Sequence, residues 1–463
     1  MKAVLGRVTL RAATLVVLES LLIALAVGLA CVVRLGLLSW GDFVSQGLLW
    51  KTVVVAIVCQ VTLYYNELYD FRILHDRYEM CIRLVEAMGV ASFVLAAVNF
   101  WYPAFTLGRS TFVVAAFLVI CVVVGWRFAF ELWSSNVGPR ERLLLVGTNP
   151  AALSLARELY ERRHDLGVQI VGFIDPDPAR VGQPVINPGI IGTIDDIPSV
   201  VRARDVDRVV VSLAEARGTL PMDKLLEMKL DGVTFDHLAS VYEEYTGKIA
   251  LENLRPSWLI FSDGFRKSRR FAALKRLSDV LLAAIGLVVA APILLMVAAL
   301  VKLTSAGPAL YSQRRVGHRG RVFTVRKFRS MHVNAEAKTG PVWASPDDPR
   351  ITSVGRLLRK SRLDEIPQLW NVLVGDMSFV GPRPERPEFV SELTEQIPFY
   401  GQRHIIRPGL TGWAQVRYSY GASAEDAMQK LQYDLYYIKN MSLALDLFIL
   451  FSTVKTVLQR QGA

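Results

Sequence analysis

Apolar residues in this chain are gathered into long unbroken runs. Residues 13–33, 52–66, 84–103 and 110–130 form four runs in the first third, and 277–303 forms a fifth. Each approaches or reaches the ~20 residues a helix needs to cross a bilayer. Four runs with short gaps predict four membrane helices, not a leader followed by a secreted domain. Beyond them the period changes. RERLLLVGTNPAALSLARELYERR reads as a strand, a turn and an amphipathic helix; VQIVGFIDPDP is a second strand ending at Asp175, and DRVVVSL a later one. Alternating strands and helices predict a parallel α/β sheet. The expected organisation is a four-helix transmembrane bundle over 1–135, a Rossmann-like cytoplasmic domain over 136–260, and an α-rich domain over 261–463.

The basic residues assign sides. Lys2, Arg7 and Arg11 precede the first run; Arg72, Arg77 and Arg83 lie between the second and third; Arg127, Arg140 and Arg142 follow the fourth. The positive-inside rule then places the N-terminus in the cytoplasm, and everything from about residue 135 onward starts there. The fifth run is basic on both flanks, with Arg266, Lys267, Arg269, Arg270, Lys275 and Arg276 before it and Lys302, Arg314 and Arg315 after. It also carries Pro292, which removes a helical hydrogen bond and favours a kink. A helix over 277–303 that enters the membrane, bends at Pro292 and leaves on the same face satisfies both observations. An ordinary fifth span with a tolerated proline satisfies the second alone. Glu19 and Glu86 fall near or in apolar runs, where interfacial or bundle-facing roles are expected.

Composition adds three points. The 463 residues are 52% hydrophobic with a formal net charge of +11, read here as attraction to an anionic membrane surface and to acidic small molecules, not to nucleic acid. Cys31, Cys59, Cys81 and Cys121 all lie in or beside apolar runs, without metal-ligand spacing. The first turn of the α/β region, Gly147-Thr148-Asn149-Pro150, lacks the second and third glycines of a dinucleotide fingerprint, although Asp175 stands where a ribose-binding acid would. A scaffolding or regulatory Rossmann-like domain is therefore expected. A membrane-anchored nucleotide-sugar dehydratase would need the full glycine motif and a Tyr-x-x-x-Lys pair; Tyr245 and Lys248 are one residue too close.

The densest charge lies in SRLDEIPQLWNVLVGDMSFVGPRPERPEF, Ser361 to Phe389. Pro367 suits the first turn of a helix running through Leu373, with Ile366 pushed out of the helical region and Asp364 and Glu365 at the N-terminus. Free N–H groups there favour anions, phosphate included. Adjacent carboxylates call for a cation, and hard oxygen ligands select Mg²⁺. Arg356 and Arg359 precede the pair; Arg383 and Arg386 follow it, and arginine binds phosphate oxygens in bidentate fashion. Phosphoryl transfer with a carboxylate nucleophile and a merely capped helix with surface ion pairs both fit this spacing.

Further motifs accompany the segment. Lys275-Arg276 with Asp279, Lys327-Phe328-Arg329-Ser330-Met331, Gly375-Asp376-Met377-Ser378, Gly381-Pro382-Arg383-Pro384 and Arg407-Pro408-Gly409-Leu410-Thr411-Gly412 frame it. From about Leu274 onward this pattern closely resembles the bacterial sugar transferases, the polyprenyl-phosphate hexose-1-phosphate transferases with a monotopic catalytic domain. The four-span start and degenerate Rossmann region resemble the family's large form, and the tail resembles a subgroup linked to exosortase-associated exopolysaccharides. The resemblance implies transfer of a hexose-1-phosphate from a UDP-sugar to undecaprenyl phosphate with release of UMP, at the cytoplasmic side of the bacterial inner membrane, with Mg²⁺ and in a homodimer. It implies that Asp364 attacks phosphorus, that Glu365 orients the nucleophile or the metal, that Asp364 and Glu365 hold Mg²⁺, and that Lys327, Arg329, Arg359 and Arg383 hold phosphates. Val416-Arg417-Tyr418 follows Gln415 where many relatives carry an Asn-Gly-Arg-like stretch, which leaves the hexose open. A non-enzymatic scaffold for polysaccharide assembly would have no need of Asp364.

Overall fold

The computed structural model describes residues 10–35, 47–66, 68–69, 77–102, 105, 109–137, 141–161, 168–212, 222–251, 262, 264–333, 335, 348–418, 421 and 423–458. Lys2, Arg7, Arg72 and Arg140, and the expected boundary at 260, lie outside these. The chain divides into two compact units, Leu5–Leu238 and Ala239 onward.

In the first unit, four long helices follow one another: α1 (Leu10–Leu35), α2 (Leu48–Tyr65), α3 (Arg77–Trp101) and α4 (Arg109–Val137). At about 1.5 Å per residue, even the 18-residue α2 reaches ~27 Å, close to the thickness of a hydrocarbon core. Leu15, Ile23, Val27 and Ala30 of α1 are buried, while Val17, Leu21, Leu25 and Leu29 on its outer face are exposed and equally apolar. A helix apolar on both faces belongs in lipid. This is a membrane protein.

Two charges interrupt the apolar interior. Glu19 on α1 and Arg127 on α4 are fully buried and paired, with Arg127 Nε donating to Glu19 Oε1 at 2.6 Å. The Tyr69 hydroxyl donates to Glu19 Oε2 at 2.6 Å, and Arg127 also caps the Leu68 carbonyl. Each charge has its partner, as an intramembrane ion requires. Glu86 lies exposed on α3.

The same unit contains a five-stranded parallel sheet of order β3-β2-β1-β4-β5, built from β1 (Glu141–Val146), β2 (Val168–Ile174), β3 (Ile190–Gly192), β4 (Arg208–Val211) and β5 (Thr234–His237). The amphipathic helix α5 (Pro150–Glu161) connects β1 to β2 and buries Ala152, Leu155, Ala156 and Leu159. The shorter helices α6 (Ile197–Ala203) and α7 (Met222–Leu230) precede β4 and β5. The strand order is the Rossmann order without its sixth strand.

The second unit begins earlier than the sequence suggested. Helix α8 (Leu238–Thr246) and the residues after it join the C-terminal core: Ile249 and Leu251 pack with Trp413, Tyr436 and Tyr437, and Trp413 Nε1 donates to the Gly247 carbonyl at 3.0 Å. Alternating strands and helices run on without a break to Thr246, so the pattern alone showed no boundary there.

Helix α9 (Arg269–Thr304) continues through Pro292 over 36 residues. After it come the hairpin β6 (Leu310–Val316) and β7 (Val322–Phe328), helix α10 (Ser353–Lys360), a 3₁₀ segment (Leu363–Gln368), α11 (Leu369–Val374) and β8 (Ser378–Val380). Then follow α12 (Pro387–Gln396), a 3₁₀ turn (Tyr400–Ile405), β9 (Gly409–Thr411), α13 (Trp413–Arg417), α14 (Ala424–Asn440) and α15 (Leu443–Leu458). Strands β8 and β9 pair in parallel, with Ser378 opposite Gly409. Both ends of α9 pack on this one unit. Near its start, Arg276 donates to the Val372 and Leu373 carbonyls at 2.7 and 2.8 Å, and Ala283 joins Val325, Val372 and Met377. Near its end, Val297 and Val301 pack on Phe328 and Leu358. Between them, Val288, Val289, Ala291, Pro292 and Ile293 are all exposed.

Candidate active site

The site is built where the hairpin meets the 3₁₀ segment. Asn371 makes the joint: its amide donates to the Thr324 carbonyl at 2.7 Å and its Oδ1 accepts from Arg326 N at 3.2 Å. Helix α10 ends at Lys360, and two residues on Arg362 adopts a left-handed conformation with φ 57°. That reversal turns the next residues inward, and Asp364 and Glu365 are both buried. The helix expected to begin near Pro367 instead begins at Leu363 as a tight 3₁₀ turn that includes Ile366 and Pro367. The acidic pair still occupies its first turn, with Glu365 N donating to the Arg362 carbonyl at 3.2 Å.

The neighbouring carboxylates live in opposite surroundings. Glu365 Oε1 accepts from Lys327 Nζ at 2.7 Å and from Arg383 Nη2 at 2.9 Å, and Arg362 stands 3.7 Å from Oε2. Burial works against its charge, but Arg383, Lys327 and Arg362 outweigh it and hold the carboxyl well below the usual range. Burial lowers Lys327, with Glu365 opposing, and Glu365 raises Arg383 against burial. Asp364 has one buried oxygen, Oδ1, without a hydrogen-bond partner. Burial and then the Glu365 charge push its carboxyl upward, against the pull of Lys327, Arg359 and Arg362.

Of the residues singled out in the sequence, Glu365, Lys327 and Arg383 meet directly, with Asp364 beside Glu365 in the chain. Arg359 stands at the margin, donating through Nε to Ser330 Oγ at 3.1 Å. Arg329 is committed elsewhere: its guanidinium caps the end of α9, donating to the carbonyls of Ser305 and Ala306 at 2.8 Å each. It lies one residue beyond the end of β7, so the chain turn sends it away from the face that carries Lys327. Arg386 pairs with Glu388 at 3.6 Å and stacks on Phe389. Arg356 and Pro292 lie on exposed surface. Two residues not singled out in the sequence also belong to the site's frame: Arg403 and Asp434, a buried pair whose Arg403 donates to the Arg383 carbonyl at 3.0 Å.

A hard divalent cation fits this donor set in one respect. Asp364 Oδ1 is a buried oxygen with nothing bound to it, and Mg²⁺ commonly takes one or two carboxylates with substrate phosphates completing its shell. Glu365, enclosed by three cations, fits that role poorly, which leaves Asp364 as the ligand from the pair. Among the described residues no group of three or more His, Cys, Asp or Glu could hold a metal without substrate.

In the first unit, the turn after β1 is closed on itself. Asp175 Oδ1 accepts from Asp177 N at 3.0 Å; its Oδ2 accepts from Thr148 Oγ1, and from Arg180 Nη1 at 2.7 Å. Asn149 Oδ1 caps α5 by accepting from Ala152 N at 2.9 Å. The polar groups that would meet a nucleotide already meet one another.

Fold and site together define a membrane α/β protein with a buried carboxylate pair inside a ring of cations, a centre suited to handling phosphate. The chain belongs to the bacterial sugar transferase family, whose profile matches residues 270–460; a CoA-binding domain profile matches residues 64–219. It is 34% identical over 336 residues to the UDP-glucose:undecaprenyl-phosphate glucose-1-phosphate transferase of Xanthomonas campestris pv. campestris, covering 70% of this chain and 68% of that protein. It is 33% identical over 332 residues to the enzyme of the same name from Escherichia coli (strain K12), covering 70% and 69%. It is 44% identical over 227 residues to the UDP-N-acetylgalactosamine-undecaprenyl-phosphate N-acetylgalactosaminephosphotransferase of Aeromonas hydrophila. That match covers 49% of this chain and 53% of the Aeromonas protein, so the chain spans about half the length of that relative.

Proposed function

We propose that the protein moves a hexose-1-phosphate from a UDP-sugar to undecaprenyl phosphate, the first committed step of an exopolysaccharide. The observation that carries this reading is the split between two adjacent carboxylates. Glu365 is locked as an anion by Lys327 and Arg383, while Asp364 holds a buried oxygen with no partner. A carboxylate with a raised pKa and an unspent lone pair is the better nucleophile.

In the proposed step an Asp364 oxygen attacks the phosphorus that bears the sugar. The bond from that phosphorus to the UMP oxygen breaks, and UMP departs. Arg359, at the margin of the site, and Lys327 and Arg383 beside the pair present the cations that hold the phosphoryl oxygens. The lipid phosphate oxygen then attacks the same phosphorus and frees the Asp364 carboxylate. A divalent cation bound through Asp364 and the diphosphate would neutralise charge on the phosphates. Relatives named for glucose and for N-acetylgalactosamine are both similar to this chain, so the hexose is set by a panel of UDP-sugars.

The setting supports the chemistry. Both ends of α9 pack on the same unit while residues 288–293 stand clear of it, as a helix would that dips into one leaflet and returns. Pro292 lacks an N–H, so the Val288 carbonyl loses its helical partner at that apex. Such a helix keeps the site on the cytoplasmic face of the inner membrane, where UDP-sugars and the lipid phosphate meet. Incubation with UDP-sugar and Mg²⁺ without lipid acceptor tests the order: UMP should appear in an amount limited by enzyme, and intact mass should show an added hexose phosphate. UMP release only when undecaprenyl phosphate is present would make Asp364 a metal ligand or base.

A further inference from the structure

The segment that carries Arg383 is held at successive residues by different elements. Gly381 N donates to the Thr411 carbonyl of β9 at 2.9 Å. The Arg383 carbonyl accepts from Arg403 Nη2 at 3.0 Å. The Pro384 carbonyl accepts from Arg315 Nη1 at 3.1 Å, and the Glu385 carbonyl from Val316 N at 2.9 Å. Three of these four holds come from backbone or from a partly exposed side chain. The Arg403 hold is buried, with Arg403 only 5% and Asp434 only 2% exposed. Arg403 stands 2.9 Å from Asp434 Oδ2 through the same Nη2, and donates to the Tyr400 hydroxyl at 2.6 Å through Nη1. Burying a guanidinium and a carboxylate is costly and adds little net stability when both could be replaced by apolar groups.

We propose that Arg403 and Asp434 are a positioning pair: Asp434 fixes Arg403, Arg403 fixes the backbone at Arg383, and the Arg383 side chain thereby meets Glu365. The inference rests on the transferase reading for its kinetic consequence, not for its geometry. A point mutation leaves one of the two charges unpaired, so the informative variant removes both. The double variant Arg403→Leu, Asp434→Leu leaves no lone buried charge and keeps apolar neighbours, Leu431, Leu435 and Ile438, along the same helix. Arg383 loses its anchor and should sample other orientations.

Charged groups facing the pair are Glu385 from the segment itself, Lys430 from the same helix as Asp434, and Tyr400. Burial, opposed by Arg403, raises the Asp434 carboxyl to about 6. Wild-type kcat should therefore fall as pH drops through that value, and Asp434→Asn, which cannot titrate, should lack that limb.

Two measurements on the full-length protein in lipid test the proposal. The first is UMP release, separated into kcat and KM for the UDP-sugar. The double variant should melt as a folded protein and lose on the order of tenfold to hundredfold in kcat. The second is the rate at which an arginine-selective dicarbonyl modifies Arg383, read by peptide mass. It should rise severalfold in the double variant, because the guanidinium spends less time on Glu365. A folded double variant with wild-type kcat and wild-type Arg383 reactivity overturns the proposal. Faster modification of Arg383 in a protein that releases no UMP even as wild type upholds the positioning pair and counts against the transferase reading.

Discussion

Two buried aspartates, one in each unit, stand where the sequence pattern raises the question of a phosphate-bearing ligand. Asp175 accepts from Thr148, Asp177 and Arg180, so both of its oxygens are spent. Asp364 keeps a buried oxygen unspent. A buried polar atom left without a partner costs on the order of 1–3 kcal/mol, so a fold tolerates it mainly where a ligand completes it. The difference teaches that sequence position near a turn does not make a site; unfinished hydrogen bonding does. By this criterion the turn around Asp175 is finished and the turn around Asp364 is not.

The largest test of that contrast is Asp364→Asn. The amide fills the same volume and cannot attack phosphorus, so UMP release should fall roughly a thousandfold or more while thermal melting stays near wild type. Retention of wild-type rates would erase the distinction between the two aspartates.

Next comes Glu365→Gln, expected to slow turnover roughly a hundredfold because Lys327 and Arg383 lose the charge that aligns them. It should also cost on the order of 3 kcal/mol at neutral pH, since buried cations are left without their anion. The sign is fixed by the depressed folded pKa. The Glu365 contribution is fully present above the unfolded value of about 4.3 and is lost as pH falls through the lower folded value. Chemical denaturation of both proteins between pH 7 and 3 should show a constant gap down to about pH 4.3 that narrows below it. A gap that widens on acidification would contradict the surroundings described for Glu365.

Pro292→Leu restores the missing donor at the exposed apex of α9 and favours a straighter helix. Turnover should fall about threefold to tenfold if depth in the leaflet matters to the lipid substrate. A cysteine at exposed Ser391 should be labelled only from the cytoplasmic face of intact cells; labelling from outside would require α9 to cross. The smallest effect is expected at Asp175→Ala. It should cost about 1–2 kcal/mol of stability in the first unit and leave UMP release unchanged. Millimolar CoA or NADH should leave the melting temperature of the wild type unmoved. A clear upward shift would show that Thr148, Asp175 and Arg180 open for a ligand.

Much of this was legible in the sequence, for reasons that differ by residue. The four leading apolar runs became α1 to α4 because lipid demands apolar side chains all round, which composition records directly. The alternation after residue 140 gave the parallel sheet. Asp364, Glu365, Lys327 and Arg383 were singled out by density of charge and by motif. Arg329 was expected beside Lys327 as a phosphate contact; its guanidinium is bonded to the Ser305 and Ala306 carbonyls, which a five-residue motif does not show. Arg403 and Asp434 were not singled out: the two are far apart in the chain, and nothing in their own stretches shows that they pair. One signal was present, an aspartate set among Leu431, Tyr433, Leu435, Tyr436, Tyr437 and Ile438, every one of them buried. The boundary near residue 238 was invisible because α8 keeps the rhythm of the sheet domain while packing with the other unit.

The exposed apolar flank of α9 has a practical consequence for anyone preparing this protein. Leu281, Ile285, Val288, Val289, Leu295, Met296 and Leu303 belong to the same compact unit as Asp364. Cutting away the first 238 residues would remove four membrane helices and still leave that greasy belt attached to the catalytic half. The shortened protein would partition into detergent micelles or clump in plain buffer, so any truncation strategy must carry an amphiphile from lysis to assay.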